Sequence, residues 1–321
     1  MIHKHGADVI QRKNCSRTEN VGLSKSHSEA DLPSKQAPKP KLKRSESTVQ
    51  LKALPSYMVD NEFLLDYHRP ELNSIMECIK SVFMMHTETW NIWTHFIGCL
   101  GVVCLAVHYF IHESESWHQS LSFAVFFAGA AFCMGCSTIY HVLFCHSERY
   151  CRFWAKMDYC GIVILIIASL PPWVHFAFYC TTYLKPLYIG VPVVFGIGAL
   201  AVVLSDKYSG GDYRVLRAVV FISLGMTGLA PAIHYIATHD FFHWNFYFWL
   251  ILACLFYFTG GVIYATRIPE RFLPGKFDIW LQSHQILHLC VIGGVLTCYQ
   301  GASKLAQYRI SSLEECPGPG L

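Results

Sequence analysis

Polar positions open this chain, and long apolar runs carry most of the rest. From residue 91 onward, seven stretches of about 20 residues pass with almost no charge, over about 91–111, 121–145, 153–174, 186–204, 218–237, 244–265 and 278–299. At 1.5 Å per residue each run matches the hydrocarbon thickness of a bilayer. The pattern predicts an all-α membrane protein, a seven-transmembrane helix bundle. Pro171 and Pro172 predict a bend or an end in the third run, Pro231 interrupts the fifth, and Asp278, just after Pro274 and Gly275, reads as the N-cap of the seventh. Ahead of the first run, Ile75, Met76, Ile79, Val82, Phe83 and His86 fall at helical spacing with Glu77 and Lys80 opposite. That spacing predicts a short amphipathic helix along the membrane surface, over about 73–87.

Composition sharpens this reading. The chain is 53% hydrophobic and 15% charged, below the roughly one quarter charged of a soluble globular chain. Its net charge of +3 is small and its basic residues sit in a tail and in loops, so a nucleic-acid role is rejected. Residues 1–52 hold 11 Lys/Arg against 5 Asp/Glu with few apolar positions, which predicts disorder. The stretch 41–47, with Ser45 and Ser47 among Lys and Arg, fits a phosphorylation or lipid-headgroup site as well as a solvated tail. No apolar core follows Met1, so no cleavable signal peptide is expected and insertion starts from an internal helix. Of the 14 cysteines, many lie inside apolar runs and read as small hydrophobes; Cys133 and Cys136 form a C-x-x-C whose mid-helix setting points to packing rather than to metal or redox chemistry. No disulfide framework is expected.

Loop charge gives an orientation. Arg149, Arg152 and Lys156 follow the second run, Lys207, Arg214 and Arg217 the fourth, and Arg267, Arg271 and Lys276 the sixth. The alternate loops carry no Lys or Arg except Lys185. The positive-inside rule then places the N-terminus in the cytoplasm and the C-terminus outside.

Ionisable side chains within spans are costly and mark function by default. His284 and His288 are four residues apart, so both imidazoles share one helix face about 6 Å apart along the axis. His141 stands near the end of the second run, with Ser137 one turn before it, and Asp158 just inside the third. In the orientation above all of these fall at a similar depth near the cytoplasm. Three imidazoles with a fourth position open to water make a catalytic-zinc donor set, in which zinc would acidify a bound water. Asp158 would orient that water or act as general base, and Ser137 would donate to the water or to a substrate carbonyl. Hydrolysis of a lipid amide or ester suits an inner-leaflet site; a zinc clamp holding three helices together fits the same residues. His95 and His234 read as bonds between helices, and His108, His112, His118, His239 and His243 as solvated outer-boundary residues. Trp90, Trp93, Trp154, Trp244 and Trp280 read as interfacial belt residues. A transporter or channel finds little support, because runs one, four and six are expected to lack a polar stripe.

Three segments carry a family likeness: HTETWNIWTH at 86–95, LFCHSE at 143–148 and IPERFLPGKFDIWLQSHQ at 268–285. They closely resemble the adiponectin receptors of the progestin and adipoQ receptor family, and the likeness runs in order over about 54–310. It implies seven helices with the N-terminus inside, a zinc ion held at His141, His284 and His288, Asp158 meeting the zinc-bound water, and Ser137 beside it. It further implies a receptor with ceramidase activity, splitting ceramide into sphingosine and fatty acid, in the plasma membrane. Expected partners are membrane lipids, an extracellular protein or lipid ligand, and a cytoplasmic adaptor at the N-terminal tail; a receptor with purely structural zinc is the alternative. The organisation that follows is a disordered basic cytoplasmic tail at 1–52, a seven-transmembrane zinc-binding receptor domain at 53–310, and a short extracellular tail at 311–321. Trp90 departs from the family, standing where the vertebrate receptors have Gly, and the outer loops and the 316–320 tail depart as well. Outer surfaces carry ligand specificity, so the likeness names no ligand.

Overall fold

The computed structural model describes residues 48–208, 210–238 and 244–311. All of them belong to one unit of the chain, Arg44–Leu321. The tail before residue 48 with its 41–47 stretch, His239, His243 and the end from 312 lie outside the described residues.

The described residues form ten α-helices: α1 (Ile75–Ser81), α2 (Thr89–His112), α3 (Trp117–Leu143), α4 (Glu148–Ala168), α5 (Leu170–Ala177), α6 (Lys185–Leu204), α7 (Arg214–Met226), α8 (Leu229–Thr238), α9 (Trp244–Thr266) and α10 (Ser283–Ser311). No strand longer than the single Val49–His68 bridge occurs among the described residues. Among the described residues seven spans are long and apolar enough to cross a membrane, α4 with α5 forming the third and α7 with α8 the fifth.

The two broken spans follow from proline chemistry. A proline offers no N–H to the carbonyl four residues earlier. For Pro171 and Pro172 those positions are 167 and 168, and α4 ends at Ala168; for Pro231 the position is Thr227, and α7 ends at Met226. Both breaks therefore fall about one turn before the prolines that the sequence singled out. The prolines themselves sit in the first turn of the next helix, where no N–H is needed.

The spans pack as a ring in chain order, each against the next, with α10 closing the ring against α2. The halves of the third span differ: α4 packs against α3, α6 and α7, whereas α5 touches α3, α6 and α10. Close approach of α3 and α4 depends on two glycines. A Cβ on Gly161 would lie 2.8 Å from the Cys133 backbone, and one on Gly129 would collide with Ala168. Small residues at such crossings let helices dispense with an intervening side-chain layer. Cys133 and Cys136 are both buried as free thiols, in line with their packing role. One expectation needs correction: Cys180, between α5 and α6, is disulfide-bonded.

Residues 48–88 form a strap against one end of the bundle. Val49 and His68 exchange backbone hydrogen bonds, Leu72 N donates to Cys145 O (2.8 Å) and Asn73 N to His146 O (3.0 Å). Within the strap, α1 is shorter than its apolar spacing suggests. Ser74 caps it by accepting from Glu77 N, its Cys78 and Ser81 turn inward, and Ile75, Met76, Ile79 and Phe83 stay exposed. Asp278 does not cap the last helix, which starts at Ser283; its carboxylate instead accepts Leu65 N (3.1 Å) and Asp66 N (2.8 Å) from the strap. Gly275, at φ +80°, turns the same loop back so that its N–H reaches Phe63 O at 3.0 Å.

Candidate metal centre

His141 stands in the last turn of α3, and His284 and His288 in the first two turns of α10. One ring nitrogen from each lies within 4.8 Å of the others. The rings form a near-equilateral triangle, with centroid separations of 5.0, 5.0 and 4.8 Å. His141 and His288 are buried and His284 is partly so.

Hydrogen bonds at the outer ring nitrogens orient the triangle. His141 Nδ1 lies 2.7 Å from Glu88 Oε2, and a carboxylate can only accept, so Nδ1 carries the hydrogen and Nε2 keeps its lone pair. His288 Nδ1 lies 3.1 Å from Thr94 Oγ1. Thr94 has one hydrogen to give, and its shortest contact is Trp90 O at 2.6 Å. Its oxygen therefore accepts from His288 Nδ1, and His288 Nε2 also keeps a free lone pair. His141 Nε2 and His284 Nε2 face each other at 3.2 Å. Two nitrogens bound tetrahedrally at 2.0–2.1 Å would sit about 3.3 Å apart. The donor set, the tautomers of His141 and His288 and the His141–His284 separation thus fit a zinc ion.

Asp158, on α4, is buried and lies within electrostatic reach of both His141 and Ser137. Ser137 is buried one turn before His141 on α3, and its Oγ makes no well-formed hydrogen bond, with the Asp158 carboxyl as its polar neighbour. A buried hydroxyl left in this state is costly and suits a group that a ligand completes. All five residues singled out from sequence are therefore brought to one place.

Sequence reasoning missed the inner end of the first span. Glu88, Asn91 and Thr94 recur at three-residue spacing, followed by His95, and make the polar stripe that the first run was expected to lack. Because α2 packs against both α3 and α10, this stripe can serve histidines on either side. Asn91 Nδ2 donates to Glu88 Oε2 at 2.8 Å. The imidazole of His95 stacks on His288 with centroids 3.5 Å apart and planes within 5°. Burial pushes the Glu88 carboxyl up, but the hydrogen bonds from His141 and Asn91 and the nearby Arg69 charge outweigh it and hold the group below the usual carboxylate range. Arg69, a buried strap residue, donates to the carbonyl oxygens of His141 and Val142 (3.1 Å to the latter) and to Ser81 Oγ at 2.9 Å. It thereby satisfies carbonyls at the end of α3 that have no partner within the helix. In contrast, His234 pairs with Tyr188 far from the triangle, as a bond between helices.

A cavity of about 580 Å³, counting its open mouth, adjoins the triangle; its lining includes Asp60, Tyr140, His141, Arg214, Tyr264 and His284.

A sequence model of the family described as "Haemolysin-III related" matches residues 83–299. A progestin and adipoQ receptor-like protein 1 of Caenorhabditis elegans is 45% identical over 269 residues, covering 82% of this chain and 62% of the relative. The adiponectin receptor protein of Drosophila melanogaster is 44% identical over 273 residues, covering 84% and 61%. A heptahelical transmembrane protein 1 of Arabidopsis thaliana is 34% identical over 271 residues, covering 80% of each chain. The chain thus spans about three fifths of the length of the first two relatives.

Proposed function

We infer that this chain, which belongs to the haemolysin-III-related family of seven-helix membrane proteins, is an adiponectin-receptor-like receptor whose core binds zinc at His141, His284 and His288 and hydrolyses a lipid amide. The observation that carries the reading is the triangle itself: three imidazoles from helices far apart in sequence, next to a buried serine and a buried carboxyl. The Glu88 and Thr94 contacts leave the Nε2 atoms of His141 and His288 as lone-pair donors. Two relatives, one named an adiponectin receptor protein and the other a progestin and adipoQ receptor-like protein, support the receptor part.

Bound zinc supplies Lewis-acid activation of a water and of a carbonyl. The chain's own residues do the rest. Asp158 takes the proton of the attacking water on a carboxylate oxygen and returns it to the amide nitrogen as the C–N bond breaks, so that ceramide and water give fatty acid and sphingosine. Ser137 Oγ donates its hydrogen to the carbonyl oxygen as that oxygen gains charge. The adjoining cavity gives the polar product a way out. A lipid substrate fits a site set among membrane spans.

Basic residues in the loops after even-numbered spans support the orientation with the N-terminus in the cytoplasm and the C-terminus outside. The disulfide at Cys180, in the loop after the third span, suits a face in contact with an oxidising compartment. In this orientation the triangle lies toward the cytoplasmic side, in a plasma-membrane receptor whose extracellular ligand binds the opposite face and whose tail offers itself to a cytoplasmic adaptor.

Zinc content and ceramide turnover of the purified protein, measured together for the wild type and His288→Ala, test the reading. Zinc near one per chain with turnover, both lost in the variant, supports it. Zinc without turnover on any lipid amide replaces it with a receptor in which zinc is structural and signalling runs through a cytoplasmic partner.

A further inference from the structure

Glu88 holds the position just before the first turn of α2, yet its side chain makes no capping hydrogen bond to that helix. It reaches instead across to α3, where Oε2 sits 2.7 Å from His141 Nδ1. The same oxygen accepts Asn91 Nδ2 at 2.8 Å, which fixes the carboxylate along the α2 face. The His141 backbone is held separately, by the Arg69 guanidinium on its carbonyl oxygen. Ring and backbone of His141 are thus both anchored from outside its own helix, whereas the ring nitrogen facing His284 keeps its lone pair.

We propose that Glu88 is a positioning residue for the metal centre, a carboxylate that fixes His141 as the Nδ1–H tautomer and strengthens its Nε2 as a metal donor. This deepens the zinc-site reading above and rests on it. The physical reason is charge transfer through the ring. A carboxylate hydrogen-bonded to the remote N–H of a ligating imidazole locks ring orientation and raises the basicity of the other nitrogen. Thr94 does the orienting at His288 but brings no charge. Of the two contacted imidazoles, His141 is therefore the one whose donor strength is set by an anion. A simpler role, tying α2 to α3, would affect stability with or without metal and leave the metal's electronic environment alone.

The experiment uses the full-length protein in detergent, as wild type, Glu88→Gln and Glu88→Ala. Zinc affinity is measured by competition with a chelator, and cobalt(II) is loaded in place of zinc to read its visible spectrum. Thermal unfolding of the metal-stripped proteins reports folding. Glu88→Gln retains an oxygen that can accept from His141 and an amide in the place of the second oxygen, so it preserves the tie between helices and removes the charge. The expected result is an affinity loss of about 10–100-fold in the variants, smaller for Gln than for Ala, together with a shifted cobalt band, while metal-free Glu88→Gln unfolds as the wild type does. Wild-type zinc affinity and an unchanged cobalt band in Glu88→Gln would overturn the proposal. A wild-type protein that holds neither zinc nor cobalt would instead overturn the site reading on which it depends, so the two failures are told apart.

Discussion

Thr94 has a single hydrogen, and its commitment to the Trp90 carbonyl settles what its oxygen can do for His288. The same reasoning about supply and demand of protons applies to Asp158. Placed among His141 and Ser137 without being one of the three clustered donors, it is free to handle a proton rather than to hold metal. Asp158→Asn should therefore keep zinc near the wild-type level and lose about 10²–10⁴-fold in turnover; zinc analysis and single-turnover hydrolysis on the same sample check both halves. His86, at the end of the strap, offers a titration. Its Nε2 bonds Ser81 O at 3.0 Å and its Nδ1 accepts Glu88 N–H at 3.1 Å, an arrangement that only the neutral ring can make. Burial, helped by the Arg69 charge, pushes it down to about 3, against roughly 6.5 in an unfolded chain. Between these values the unfolded chain binds the proton and the folded one does not, so stability falls as pH drops from about 6.5 toward 3. Thermal unfolding near neutral pH and about two units lower should show a smaller acid loss for His86→Gln than for the wild type.

At the scale of helices, the site depends on how closely α3 and α4 approach. Gly161 lies one turn beyond Asp158, and Cys133 one turn before Ser137, so the point at which the backbones touch adjoins the pair that must meet. Gly161→Val should push the helices apart, cost about 1–3 kcal/mol by overpacking, and reduce turnover more than zinc content; unfolding in detergent and metal analysis distinguish these effects. The helices themselves were legible from sequence because a bilayer imposes length and apolarity on every span, and proline chemistry located both breaks to within a turn. The clustered histidines were legible because charge and imidazole are rare in such runs and so stand out. Glu88 was not, since it lies just before an apolar run where a carboxylate is ordinary, and only the packing of α2 between α3 and α10 gives it a partner. Asp278 was misread for a related reason: an acidic residue after Pro-Gly has the local chemistry of a cap, and its actual partners, Leu65 N and Asp66 N, lie more than two hundred residues away.

Across the whole molecule, the strap and the ring of spans are tied at several places: Arg69 at the end of α3, Asp278 on Leu65 and Asp66, and Gln282 Nε2 on Thr87 O at 2.7 Å. The last contact joins the start of α10 to the start of α2, so the helix carrying two of the clustered histidines is registered against the one carrying the polar stripe. The proposed orientation places this whole end in the cytoplasm. An epitope at the C-terminus should be stained on intact cells and one at the N-terminus only after permeabilisation; the reverse staining would invert the topology. The histidines are also divided unequally along the chain, one in the second span and two in the seventh. During synthesis a ribosome delivers the second span early and the seventh last, and through all the time between, His141 waits in the membrane alone. On the proposed zinc reading neither half of the set would grip an ion firmly by itself, so loading would be the final event of biogenesis, and a chain stalled or cut short before α10 would emerge without the means to acquire metal.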